Sequence, residues 1–320
     1  MNRIDFSDVG LLLQADALEG LRALPDHCAH VCVTSPPYYG LRDYGVEGQM
    51  GLEGSVPAYL AAMVRVFREA ARVLRPDGTL WLNMGDSYAA DSGPQPPAGT
   101  RNKHGHTARH IPQGFKNKDL MGIPWRLALA LQEDGWYLRS DIIWHKTNAM
   151  PESVHDRPTR AHEYLFLLTR REKYYYNASA IVEPCTAAKG NARSFRGSGA
   201  YTTGASFYNS TTKERETHGN SVNESGVRNK RDVWPVAAAH FDGAHFATFP
   251  PELIRPCILA GAPPADVILD PFMGSGTTAL TALEEGRRFI GIELNPKYVK
   301  LSAARINNAL QQGIQTKLEI

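Results

Sequence analysis

Two short stretches hold residues that could do chemistry. The first is Ser35-Pro36-Pro37-Tyr38, which cuts off a run of β-branched residues in HVCVTSPPYYG. Proline removes a backbone donor and fixes φ, so a Pro-Pro pair is a stiff exit from a sheet. Each proline also holds the residue before it extended, here Ser35 and Pro36. Fixed carbonyl acceptors and a tyrosine are left at a strand tip. The second stretch is DPFMGSGTT, residues 270–278, between an apolar run and a helical one.

A glycine turn joining strand to helix, then a second strand ending in an acid, is the plan of an adenosine-binding βαβ unit. Gly274 and Gly276 let backbone approach a ligand. Glu293 stands 23 positions beyond Asp270, near the spacing at which a carboxylate accepts bonds from ribose hydroxyls. A dinucleotide fits poorly, because GSGTTA lacks the third glycine of that fingerprint. Asp270, just before the turn, would also repel a pyrophosphate while suiting a cation. S-Adenosylmethionine carries a sulfonium and an ammonium and no phosphate.

The elements around these stretches can be read from periodicity. Residues 11–14 and 31–35 are short apolar runs typical of buried strands, with DALEGLRALPD between them as a short helix bearing Leu18, Leu21 and Leu24 on one face. In residues 57–78, Leu60, Met63, Val64, Phe67, Ala71 and Leu74 recur at helical spacing. Pro76, Asp77 and Gly78 then turn the chain into the strand TLWLNMGD. IPWRLALALQEDG reads as a helix with proline in its first turn, and WYLRSDIIWHK and EYLFLLTR as strands. PPELIRPCILAG is a helix, VILD and FIGIEL are strands, and PKYVKLSAARINNAL is a last helix with Val299, Ala303, Ile306 and Leu310 on one face. Such alternation predicts an α/β fold with a doubly wound, mostly parallel sheet of seven to eight strands.

Two polar segments interrupt this pattern and read as insertion loops within a single catalytic domain spanning residues 1–320. Residues 87–119 are rich in Gly, Pro, His and basic residues. Residues 186–232 are rich in Ser, Thr, Asn and Gly, and have too few aliphatic residues to form core.

At 320 residues the chain can bury a full core. It shows no apolar run of membrane-spanning length and no signal-peptide pattern at MNRIDFSDVG, so a cytoplasmic location and no membrane partner are expected. Four cysteines, Cys28, Cys32, Cys185 and Cys257, lack framework spacing, which suits a reducing compartment. A net charge of +2 requires that any nucleic-acid surface be local.

TSPPY followed by DPFMGSGTT, in that order, resembles the β-group DNA amino-methyltransferases, which act on cytosine N4 or adenine N6. QADAL, LRPDGTLWLNMGD, RSDIIWHK, RPTRAHEYLFLLTR and FPPELI match in position and character, so the resemblance covers most of the chain. It implies the class I fold of S-adenosylmethionine-dependent methyltransferases with circularly permuted motif order. It also implies S-adenosylmethionine as cofactor, with no metal, and double-stranded DNA as partner. A homodimer and a cognate restriction endonuclease are left open.

Residue by residue, the resemblance implies that Asp16, Thr34, Asp270, Phe272, Gly274, Ser275, Gly276, Thr277 and Glu293 form the cofactor site, with Asp16 beside the adenine. It gives Ser35, Pro36, Pro37 and Tyr38 the catalysis. An exocyclic amine is a poor nucleophile, because its lone pair is delocalised into the ring. The Ser35 side chain and the Pro36 carbonyl would hold its N–H groups as charge develops, and Tyr38 would stack on an extruded base. Ser at the first tetrad position usually accompanies cytosine N4, and Asp or Asn adenine N6. Cytosine N4 is therefore expected, with adenine N6 as the alternative.

Residues 186–232 fall where the family keeps its target-recognition segment. Eight Lys and Arg there, among them Arg193, Arg196, Arg228, Lys230 and Arg231, stand against four acids with aromatics interleaved. That pattern suits DNA backbone contacts plus stacking.

Rival readings fit less well. A proline-rich ligand would sit in an exposed segment rather than after a buried strand. Carbon-5 methylation needs a cysteine nucleophile, and neither Cys185 nor Cys257 sits in such a loop. Protein- or RNA-directed relatives normally carry the cofactor segment first, and a dead relative would show an eroded tetrad or turn. HCAHVC has no second half of a zinc site, and His104, His106 and His110 fall in a loop.

Overall fold

β3 (Ala29–Thr34), the strand that ends in the tetrad, is buried at every residue and lies in the middle of a nine-stranded sheet. Its unbroken apolar character follows from that position, since a central parallel strand is covered on both faces. The computed structural model describes residues 1–90, 111–184, 227–239 and 249–313. The chain divides into two compact units, residues 1–177 with 231–320, and residues 178–230.

In the larger unit the strands are β1 (Asn2–Phe6), β2 (Gly10–Gln14), β3, β4 (Leu74–Met84), β5 (Tyr137–Lys146), β6 (His162–Thr169), β9 (Val233–Val236), β10 (Val267–Asp270) and β11 (Arg288–Glu293). Their order is β1-β2-β11-β10-β3-β4-β6-β5-β9. Pairing is parallel from β2 through β4 and between β5 and β9; β1 on β2, and β6 against both β4 and β5, are antiparallel. Nine strands exceed the seven or eight expected from sequence. The additions are edges: β1 makes a hairpin with β2, and β9 is a four-residue strip on β5.

The helices α1 (Ala17–Arg22), α2 (Val56–Val73), α3 (Ile123–Glu133), α4 (Pro251–Gly261), α5 (Thr277–Glu284) and α6 (Pro296–Gln311) connect and flank the strands. Ser55 caps α2 by accepting from Ala58 N, and Asn295 caps α6 by accepting from Lys297 N. Helix α2 buries Tyr59, Met63, Val66, Phe67, Ala70 and Val73. That stripe is rotated from the one the sequence suggests, and Leu60, Val64 and Ala71 sit half-buried at its border. The rotation turns Tyr59 inward. The helix also passes directly into β4 at Leu74, and residues 75–78 form a bulge before the ladder with β3 resumes at Thr79.

Within residues 178–230, a 3-10 turn at Ala178–Ile181 precedes the two-stranded antiparallel sheet of β7 (Glu183–Pro184) and β8 (Val227–Arg228). Arg228 Nε donates to Glu183 Oε1 across that pair at 2.7 Å. Arg193 and Arg196, the three loop histidines and Cys185 lie outside the described residues. Among the described residues no helix is long and apolar enough to cross a membrane.

Candidate active site

The two stretches singled out from sequence meet because the sheet reverses direction between them. From β3 the chain crosses through α2 to β4 on one side, and from β10 through α5 to β11 on the other. Adjacent parallel strands whose connections diverge leave a crevice beyond their carboxyl ends. β3 and β10 are that pair, with Leu269 opposite Cys32.

The crevice holds a cavity lined by Asp16, Ser35, Pro37, Asp270, Phe272, Gly274, Ser275, Thr277 and Glu293, together with Arg42, Tyr44, Gln49, Met50 and Tyr298. Among the described residues three carboxylates face it against one guanidinium, and Phe272, Met273, Ile292 and Leu294 supply apolar wall. A ligand with positive charge and a flat apolar part fits such a lining.

Asp270 anchors the junction. Its Oδ1 accepts from Thr34 Oγ1 at 2.6 Å and from Phe272 N at 3.0 Å, and its Oδ2 accepts from Thr278 Oγ1 at 2.6 Å. Burial pushes its carboxyl up to about 6 despite those donors. Glu293 accepts from Gly274 N at 2.8 Å and Asn295 N at 2.7 Å. Burial pushes it up to about 7. It lines the cavity, where a carboxylate can accept from a ligand hydroxyl. Asp16 caps α1 by accepting from Leu18 N and Glu19 N, so it enters the cavity wall already oriented.

Four residues expected at the site do not line this cavity. Thr34 is fully buried, and its hydroxyl positions Asp270 rather than a ligand. Gly276 has φ +86°, and a Cβ there would stand 2.9 Å from Ser302 Cβ, so this glycine serves the packing of α5 on α6. Pro36 is buried. Tyr38 is half-buried; its ring packs on Gly85 and its hydroxyl donates to Glu163 Oε2 at 2.7 Å.

Other site residues gave little sign of themselves in the sequence. Tyr59 donates its hydroxyl to the Pro37 carbonyl at 2.9 Å, so α2 clamps the tetrad. Gln49 ties the 40–51 loop by accepting from Tyr44 N and donating to the Arg42 carbonyl, while Gly40 N donates to Gly51 O at its neck. Arg305 of α6 donates to the Ser275 carbonyl and hydroxyl, bracing the glycine turn. Only the glycines of DYGVEGQMG hinted at a shaped loop. The HCAHVC residues do not converge: His27 Nδ1 bonds the Leu74 carbonyl, and His30 Nδ1 bonds Asp266. Cys32 and Cys257 are buried thiols.

A mostly parallel sheet with a permuted pair of motifs at its switch point is the architecture of a class I methyltransferase. Residues 29–304 match the DNA methylase family, and the chain belongs to it, as a DNA methyltransferase of the N6/N4 class. It is 49% identical over 297 residues to the Type II methyltransferase M.Cfr9I of Citrobacter freundii, covering 92% of this chain and 87% of that one. It is 42% identical to the Type II methyltransferase M.SmaI of Serratia marcescens over 92% and 90% of the two chains. Among solved structures, PvuII DNA methyltransferase (cytosine-N4-specific) superposes with TM-score 0.61 at 18% identity, covering 97% of this chain and 93% of that one. The M1.HpyAVI–SAM complex superposes with TM-score 0.53 at 18% identity over 93% and 99%.

Proposed function

We propose that this chain transfers a methyl group from S-adenosylmethionine to the exocyclic N4 amine of a cytosine everted from double-stranded DNA. One observation carries the reading: Ser35 and Pro37 of the tetrad share a cavity with Glu293 and the glycine turn. Methyl transfer between two bound reactants is mostly alignment, and a single crevice provides for both.

The lining fits the cofactor. Asp16 and the apolar wall suit adenine, Glu293 the ribose hydroxyls, and the excess of carboxylate a sulfonium and an ammonium. Bound there, the cofactor supplies a methyl group on a positively charged sulfur. The protein's own task is to fix the amine. Ser35 Oγ donates its proton to the Tyr38 hydroxyl at 3.2 Å, which leaves its lone pairs to accept an amine N–H. The family motif gives the second N–H to the Pro36 carbonyl and the face of the base to the Tyr38 ring, although neither residue lines the cofactor cavity. The serine at position 35 and the likeness to a cytosine-N4-specific enzyme favour cytosine; adenine N6 is the alternative. Incubation with labelled cofactor and duplex DNA, followed by digestion to nucleosides, is expected to yield N4-methylcytosine. N6-methyladenine would replace the substrate, and label confined to RNA or protein would overturn the reading.

The carboxylates set a pH dependence. A cation in the cavity favours the charged forms of Asp270 and Glu293, whose values stand near 6 and 7. Affinity for the cationic cofactor therefore rises as pH climbs through that range, with proton release on binding. The rise is smaller for S-adenosylhomocysteine, whose sulfur is uncharged, and Glu293→Gln flattens it. Calorimetric titrations in two buffers check this; equal slopes for both ligands would contradict it.

Residues 186–232 are the target-recognition segment in this reading, with residues 87–119 as a second insertion on the DNA side. Neutralising Arg228, Lys230 and Arg231 together is expected to weaken DNA binding and to reduce its logarithmic salt slope by about 3, if each meets a phosphate. An unchanged slope assigns the DNA surface elsewhere. Kinship with Type II methyltransferases supports a cytoplasmic location and a cognate restriction endonuclease, and a homodimer remains a testable assembly by sedimentation.

A further inference from the structure

Behind the tetrad lies a polar cluster that the motifs did not announce. Glu163 of β6 projects between the tetrad and β5. Its Oε2 accepts from Tyr38 Oη at 2.7 Å and from Asn83 Nδ2 of β4 at 3.2 Å. Its Oε1 accepts from Lys146 Nζ of β5. The Glu163 side chain is 13% exposed and that of Lys146 24%. Gly85 makes room for the cluster, since a Cβ there would stand 2.7 Å from the Tyr38 ring and 3.2 Å from the Glu163 carboxyl.

The donors in this cluster run one way. Ser35 Oγ donates to Tyr38 Oη, and Tyr38 Oη donates to Glu163. A carboxylate only accepts, so the chain ends there. Lys146 pairs with the carboxylate and connects it to the more exposed side of the cluster.

We propose that Glu163 is the acceptor of the proton that the amine releases, reached through Ser35 and Tyr38. The inference rests on the function proposed above and adds the proton's route. In the balanced step, the amine lone pair forms the N–C bond and the S–C bonding pair remains on sulfur. The nitrogen then gives one proton to Ser35 Oγ, which passes its own to Tyr38 Oη, which passes its own to Glu163 Oε2. The products are a methylated amine, a neutral thioether and a neutral Glu163 carboxyl.

The chain is indifferent to which base carries the amine, so it serves cytosine and adenine alike. The titratable groups that face Glu163 among the described residues are Tyr38, from the segment after β3, and Lys146, from β5; β4 contributes the uncharged Asn83. Burial, and then the charge of Glu163, hold the Tyr38 phenol well above its ordinary range, so it relays as a neutral hydroxyl.

Glu163→Gln keeps an acceptor for Tyr38 and removes the base. General-base removal typically costs about 10²-fold or more. Single-turnover methylation by E163Q is expected to slow by about that factor, with cofactor affinity and melting temperature near those of the wild type. Raising the pH should recover part of the rate, because hydroxide takes over as acceptor, and Glu163→Asp should restore more than Gln. Tyr38→Phe should slow the reaction comparably, and the E163Q/Y38F double variant should be no slower than either single one, since both break one chain. Independently of activity, the Tyr38 13Cζ resonance of the cofactor-free protein should shift in E163Q. Active wild type with an equally fast E163Q overturns the route alone, as does additive loss in the double variant. Wild type that labels no DNA overturns the proposed function, and this inference with it.

Discussion

Ser35→Ala is expected to slow single-turnover methylation by about 10²- to 10³-fold, the range seen when one preorganised partner of a developing charge is removed. Cofactor affinity should stay within about twofold, because Asp16, Glu293 and the glycine turn are untouched. The size follows from the geometry. With its proton committed to Tyr38, the Ser35 hydroxyl offers only lone pairs to the cavity, and alanine offers none. Tyr59 still clamps the Pro37 carbonyl, so the segment keeps its shape and the loss reports the missing hydroxyl, as acceptor and as first link to Glu163. Ser35→Asn retains an acceptor and should lose less. Rapid-quench assays with labelled cofactor, beside direct binding measurements, separate the two effects. A loss confined to cofactor affinity would move Ser35 to the other substrate's side.

Much of this arrangement could be read along the chain, and the reason is the local character of the signals. The tetrad and the glycine turn each depend on residues within one strand exit, where proline and glycine constrain backbone directly. Burial of β3, β10 and β11 on both faces made them continuous apolar runs. The motif order, through the family resemblance, implied that the two stretches serve one site; the β3–β10 pairing that brings them to one crevice is seen in the structure.

What stayed hidden depends on pairing between distant segments. Glu163, Lys146 and Asn83 come from three strands whose neighbours are set by the antiparallel insertion of β6 between β4 and β5. Nothing in EYLFLLTR says which strand it will join. Tyr59 stood outside the stripe read from the sequence, and became a clamp because the buried face of α2 is rotated to include it. Thr34 and Gly276 were assigned to ligand by the family motif, whereas their partners, Asp270 and Ser302, give them packing and positioning duties. Motif membership marks where a site is. Contacts distinguish the residues that touch ligand from those that hold them.

Asp270 separates the same two duties in one side chain, and its variants should diverge sharply. Asp270→Ala deprives the Thr34 and Thr278 hydroxyls and the Phe272 amide of their acceptor in a buried place. At about 1–3 kcal/mol for each unsatisfied group, it should unfold at markedly lower denaturant or fail to accumulate. Asp270→Asn keeps the shape. Its amide oxygen accepts from Thr34 and Phe272, and its NH2 can donate to the Thr278 hydroxyl. It also removes a carboxyl whose folded value is raised from 3.8 to about 6 by burial. A raised carboxyl favours the folded state below its unfolded value, and that advantage is lost as pH rises through about 6. The shift is worth about 3 kcal/mol. D270N should therefore match the wild type near pH 4 and exceed its stability by up to about that amount at pH 8. It should still bind the cationic cofactor more weakly, having lost a facing charge. Urea melts at the two pH values, paired with binding of S-adenosylmethionine and S-adenosylhomocysteine, test both arms. Equal stability of D270N and wild type at pH 8 would mean that solvent or an unrecognised donor already relieves the buried charge.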